Sequence, residues 1–274
     1  MKISKAIDTG LFDPKILGQE IASKKPCISY HSMRRSSRVL REFLLYYFPL
    51  YNLSYNDFFG FYPILGFVEA LVYETDEEVE EIQSNCCPQI KNSPWTSKQK
   101  IILSVLQEIN IKHEKIDFYL KDLGEYFDLE TYLLSGYSFD ESAIIKAAEL
   151  RSSDYRLLHS ILAQMLNLNC RKEDMVENLN LMFPLEVLND IEDDLISYAD
   201  DVGVKHYNTY RMFVKLYGEK APFYLKKKLD YYESLFHKQI AVLSSLKKKP
   251  FIQAWNAYRL DHSVPTIPDP IFED

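Results

Sequence analysis

Three oxygen-bearing side chains, Asp193, Ser197 and Asp201, stand four residues apart in the stretch DDLISYADD. On a helix a step of four residues advances about 400° and about 6 Å, so the three lie along one narrow stripe. Two carboxylates flanking a hydroxyl form a hard-oxygen set suited to Mg²⁺ or Mn²⁺, and Mg²⁺ commonly shares its shell with phosphates and water. On a purely solvated face, like charges at this spacing would gain nothing and mildly repel. Upstream, AAELRSSDYRLLH places Arg151 three residues before Asp154, with Tyr155 next. A guanidinium grips a diphosphate in bidentate fashion, and a carboxylate three residues on can fix its orientation. A third acidic stretch, YETDEEVEE, carries Asp76, Glu77 and Glu80, with Glu74 as a further register. It begins where the helix stops being apolar, after Val72, and it reads equally as a metal site at a cavity mouth or as a solvated helix end.

DDLISYADDVGVKHYN resembles the second metal-binding region of class I terpene synthases, in which Asn or Asp, Ser or Thr, and Glu or Asp recur at four-residue intervals. The resemblance covers about residues 60 to 260 and makes Asp193, Ser197 and Asp201 the implied metal ligands. It makes Arg151 the implied diphosphate sensor, Asp154 its linker and Tyr155 the effector position, and it assigns the catalytic role to these three. The acidic run at Asp76, Glu77 and Glu80, or Glu74, takes the place of the family's aspartate-rich motif on the facing wall. Where the family has a basic residue just before the last ligand, this chain has Asp200, which leaves Lys205 or Arg211 to supply that diphosphate contact. The family's C-terminal arginine and tyrosine pair falls on Arg259, with Tyr258 preceding it and Leu260 following.

The resemblance implies a single-domain, all-α bundle around a central apolar cavity. Three Mg²⁺ ions (or Mn²⁺) and basic side chains would grip the diphosphate of a prenyl substrate at its mouth. Ionisation would release diphosphate, and the allylic cation would cyclise or be quenched. A prenyltransferase joining isoprenoid units and a non-catalytic isoprenoid-binding protein on the same fold are the alternatives. Arg34, Arg35, Arg38 and Arg41 are expected at the surface, with a second diphosphate site as the other reading.

The elements that must position these residues read as helices. Val39, Leu40, Phe43, Leu44 and Phe48 recur at helical spacing, with Ser32 as the expected N-cap. ILGFVEALVYETDEEVEEIQ reads as a second helix, and SNCCPQIKNSPW as the clearest loop. Thr96 is the expected cap of the next helix. DESAIIKAAELRSSDYRLLHSILAQML reads as one amphipathic unit, and a long helix is expected from Pro184 to about Val202. Residues 1–30 read as a loose lead-in, 31–260 as the helical domain and 261–274 as a Pro-rich tail.

Composition agrees with a helical globule: 47% of residues are apolar, 14% are aromatic and only 8 are glycines in a chain of 274. A net charge of -8 argues against nucleic acid as a partner. Cys27, Cys86, Cys87 and Cys170 form no CxxC pair, and no apolar run approaches the 18 or so residues of a membrane span. A cytoplasmic protein is expected, with a homodimer left open. The histidines show no HExxH spacing, and neither a P-loop nor a GxSxG signature occurs.

Overall fold

A computed structural model describes residues 28–84, 94–166, 172–261 and 264–273. The expected lead-in up to residue 27, residues 85–93 of the expected loop and all four cysteines lie outside the described residues.

The fold is all-α. Helix α1 (Tyr30–Leu50) packs along α2 (Tyr55–Ser84), and theirs is the largest seam between any two elements. α3 (Trp95–Glu108) leads to α4 (Glu114–Leu134), which packs on α5 (Glu141–Arg151) and α6 (Ser153–Met165). The long α7 (Lys172–Val204) lies against α9 (Ala221–Val242), while α8 (Thr209–Tyr217) bridges α5, α7 and α9. α10 (Ser245–Asp261) returns to α1. None of the described helices is long and apolar enough to cross a membrane.

The helix ends show why these segments stop where they do. Ser29 caps α1 by accepting the Ser32 N–H, whereas the expected cap, Ser32, turns its hydroxyl to Glu74. Trp95 opens α3 behind Pro94, without the side-chain cap expected of Thr96. Asp140 and Asn208 cap α5 and α8 through the N–H groups of Ala143 and Arg211. The expected single helix around RSSD breaks at Ser152 into α5 and α6. Conversely, Pro63 and Pro184 sit inside helices, so α2 and α7 begin earlier than the sequence suggests. Apolar burial on both sides of each proline outweighs the roughly 3 kcal/mol that a proline costs in a helix interior.

One core joins the ten described helices, with Phe43, Tyr47, Phe48, Phe127, Phe213 and Phe236 fully enclosed. Gly124 exists for packing: a Cβ there would stand 2.9 Å from Trp95 Cδ1. That indole cannot easily retreat, because its Nε1 donates to the Leu120 carbonyl at 2.7 Å. Gly124→Ala should gain about 0.8–1.0 kcal/mol in helix propensity and lose about 1–3 kcal/mol to overpacking. The expected net result is a loss of about 1 kcal/mol, read as a fall of about 2–4 °C in melting temperature; a rise would show that the contact with Trp95 is slack.

Candidate diphosphate and cation site

Five of the described helices converge on a polar cavity of about 500 Å³. α2 contributes Tyr73, Asp76, Glu80 and Gln83, at the three- and four-residue spacing that keeps a helix face together. α7 contributes Asp193, Asp194, Ser197 and Asp201 from the opposite side, and α5 ends in the cavity with Arg151. α1 contributes Arg34, Arg35 and Arg38, while Tyr126 and Glu130 of α4 close the inner wall. Asp76, Glu80, Arg151, Asp193, Ser197 and Asp201, far apart in sequence, thus share one chamber.

Six carboxyl groups face four guanidinium groups along these walls. Arg35 reaches Asp76 at 2.9 Å and Glu80 at 3.9 Å, its guanidinium lying 4.7 Å over the Tyr73 ring. Arg38 pairs with Asp193 across the cavity. Arg151 pairs with Asp194 at 2.6 Å and stands 4.0 Å from Asp190. The Arg34 guanidinium lines the mouth without an ion-pair partner among the described residues. Burial pushes several of the carboxyls toward their protonated form: Asp193 is raised to about 6 despite Arg38, Glu80 to about 7 by burial and then Asp76, and Glu130 to about 8 by burial and then Asp76. Asp201 is also raised by burial, against hydrogen bonds from Ser197 and Asn208. The cavity therefore holds more carboxyl groups than its own cations can keep ionised.

Oxygen donors on two facing walls fit a hard divalent cation in kind. They are not assembled around a point: among the described residues, no group of three or more His, Cys, Asp or Glu side chains stands together as a ligand set. The arginines account for this, since Arg35, Arg38 and Arg151 each draw a carboxylate toward themselves. Ser197 donates to Asp201 at 2.6 Å, which keeps two members of the α7 stripe together.

The remaining expected residues lie elsewhere. Glu74 accepts from the Ser29 N–H and the Ser32 hydroxyl, both at 2.7 Å, and so holds the start of α1. Glu77 lies outside the cavity wall and binds His31 at 2.7 Å. Asp154 and Tyr155 line a recess of about 50 Å³ beneath the cavity, which shares Arg38, Tyr73, Asp76, Tyr126, Arg151 and Asp193 with it. Arg151 is oriented by Asp194 rather than by Asp154. Tyr155 and Tyr258 both donate to Glu42, at 2.7 and 3.2 Å. Lys205 follows the last residue of α7 in the left-handed conformation, φ 64°, exposed and off the cavity wall. Arg211 is buried on Glu273, and Arg259 forms a bidentate pair with Glu192 at 2.8 and 2.9 Å. The apolar centre expected of the bundle is altered here: the space between α1, α2, α5 and α7 is walled by charged groups, and Glu42, Asp154 and Asp190 face the recess below.

Sequence reasoning gave Asp194 no role and set the α1 arginines at the surface, with a second diphosphate site as the other reading, whereas Arg34, Arg35 and Arg38 line the same cavity as Arg151 and Arg41 does not. Asp194 is only 3% exposed. Besides Arg151, it accepts the Thr209 N–H at 2.7 Å, which fixes the start of α8 against α7. Asn208 completes this joint by donating to the Asp194 carbonyl at 2.6 Å and to Asp201 at 2.8 Å. The C-terminal tail then straps α8 in place: Glu273 pairs with Arg211 and Lys215, the Ile271 N–H donates to the Tyr198 hydroxyl at 2.7 Å, and the Tyr210 hydroxyl donates to the Pro268 carbonyl at 2.6 Å. The spacing of Arg34 and Arg38, one helical turn apart, was the available signal for a basic face.

Asp194→Ala strips a nearly buried carboxylate from Arg151 and from a backbone N–H. Breaking a buried pair costs about 3–5 kcal/mol, and an exposed one up to about 1 kcal/mol. With 32% of the Arg151 side chain exposed, a loss of about 2 kcal/mol is expected in denaturant unfolding. A loss below about 0.5 kcal/mol would mean that the joint is not held by Asp194. Compared with protein-family models, with curated proteins and with solved structures, the chain finds no match in any of the three.

Proposed function

We propose that the cavity binds the diphosphate of an isoprenyl diphosphate together with Mg²⁺ and promotes departure of diphosphate from the allylic carbon, the cation left behind being cyclised or quenched. The observation that carries this reading is the convergence of Arg34, Arg35, Arg38 and Arg151 with Asp76, Glu80, Asp193, Ser197 and Asp201 on one chamber. A diphosphate needs several cationic donors at once, and the arginines provide bidentate ones. Asp76, Glu80, Asp193, Ser197 and Asp201 would hold the ions, which supply charge to the leaving diphosphate. The chain's own part is exchange of partners. Arg38 and Arg35 leave Asp193 and Asp76 for phosphate oxygens, which frees those carboxylates to face the cations. Arg151 is already aimed into the cavity by Asp194, so its charge is preorganised.

A second reading, a diphosphate-binding protein without turnover, is favoured by the recess below. At about 50 Å³ it falls short of an enclosed prenyl chain, since ligand pockets run to roughly 300–1,000 Å³. Incubation with Mg²⁺ and prenyl diphosphates of graded chain length separates the two. Diphosphate release with hydrocarbon products is expected of the enzyme; binding without release supports the second reading, and neither sinks both. Asp193→Ala and Arg151→Ala should each abolish release while leaving the helical circular-dichroism signal intact.

The raised carboxyls add a pH dependence. Groups whose folded values lie above their ordinary ones bind more protons in the folded state, so stability falls as pH rises from about 4.5 through those folded values of about 6 to 8. Mg²⁺ neutralises this charge only where it is present. The shift in melting temperature on adding Mg²⁺ should therefore be larger at pH 8 than at pH 5.5; equal shifts would place the ion elsewhere.

A further inference from the structure

Glu69 lies in the apolar half of α2, within ILGFVEALV, and is completely buried. Neither of its carboxyl oxygens receives a hydrogen bond from a donor among the described residues. Its side chain instead meets that of Asp154 at hydrogen-bonding range, across the seam where α2 packs on α6. Two ionised carboxylates are both acceptors and repel, so this contact requires a proton between them. Asp154 is the partner that leans toward the charged form: its Oδ1 accepts the Tyr155 N–H at 2.6 Å, and Arg156 and Arg151 bear on it. Tyr73, Tyr155, Glu186 and Asp190 are the other titratable groups that face the pair, and Asp190 keeps one oxygen without a donor among the described residues.

The two residues differ in access. Asp154 lines the recess that opens beneath the polar cavity, and Glu69 stands behind it. We propose that Glu69 and Asp154 form a carboxyl dyad sharing one proton, and that Asp154 is the general base of the cavity, with Glu69 as the partner that holds it in readiness.

The base role rests on the diphosphate chemistry proposed above. Once diphosphate has departed with its electron pair, a C–H bond next to the allylic cation breaks. Its electrons form the new C=C bond, and the proton passes to Asp154. Asp154 and Glu69 are then both neutral acids, and one proton returns to water through the cavity. A group in this position must be buried enough not to be quenched by solvent and close enough to the leaving site to meet the cation, and Asp154 shares the recess with Arg151 and Asp193.

Infrared spectra of the full chain at pH 7 test the shared proton without any substrate. Beside the bands of Glu80 and Glu130, the wild type should show a protonated-carboxyl C=O band that disappears in Glu69→Gln; should that variant fail to fold, Asp154→Asn should keep the band and shift its frequency, because the Glu69 proton then meets an amide in place of a carboxylate. Stability against pH gives a second readout. Burial raises Glu69 well above its ordinary value and Asp154 to about 6, so the dyad's contribution is present at low pH and lost as pH climbs. Glu69→Gln should flatten that fall relative to wild type, while Glu80, Glu130 and Asp193 contribute to both. In turnover, Asp154→Asn should lower product formation about a hundredfold while affinity for inorganic diphosphate stays within about threefold of wild type. A band unaffected by Glu69→Gln overturns the shared proton, and unchanged turnover in Asp154→Asn overturns the base role. Absence of turnover in the wild type removes the base role along with the diphosphate reading, and the infrared result still decides the dyad.

Discussion

The structure turns on an imbalance of charge in one partly desolvated chamber. Six carboxyl groups and four guanidiniums line it, brought there by α1, α2, α4, α5 and α7. The arginines are shared among more carboxyls than they can serve, and burial raises Asp193, Glu80 and Glu130 in spite of the guanidiniums beside them. An arrangement selected for stability alone would bury apolar residues here, since replacing buried ion pairs by well-packed hydrophobes is often neutral or stabilising. Charged walls are costly, and they make physical sense where a highly charged ligand and its counterions complete them.

That constraint reaches outward into parts of the fold that never touch the cavity. Arg151 is aimed by Asp194, Asp194 also holds the first N–H of α8, and Asn208 ties Asp201 to the same joint. The tail fastens α8 from the far side through Glu273, Ile271 and Pro268. Glu74, expected as a metal ligand, holds the start of α1, and α1 carries the basic wall. Residues that look peripheral thus set the register of α1 and α7 against α2, which decides whether arginines and carboxylates meet.

Much of this was legible in sequence, for a physical reason. The α7 stripe and the acidic end of α2 are periodic on their own helices, and four-residue spacing on a helix fixes a shared face without knowledge of the partner. Arg151 was legible as a cation beside carboxyl groups, but its orienting residue was not. Asp154 is nearer in sequence, whereas Asp194 is brought to it only by packing. The α1 arginines could be read as a basic face but not as a cavity wall, because that depends on which way α1 turns against α2. Arg211 and Arg259 are absorbed by Glu273 and Glu192, partners 62 and 67 residues away. Glu69 did carry a signal, a lone acid inside an otherwise apolar helix segment.

The claim that the chamber is completed by a diphosphate and divalent cations is tested most directly by calorimetric titration of inorganic diphosphate into the protein with and without Mg²⁺. Saturable binding that needs Mg²⁺, and that is lost in Asp193→Ala and Arg38→Ala, is the predicted result. Binding that is equally strong without Mg²⁺, or that survives both substitutions, would contradict the account.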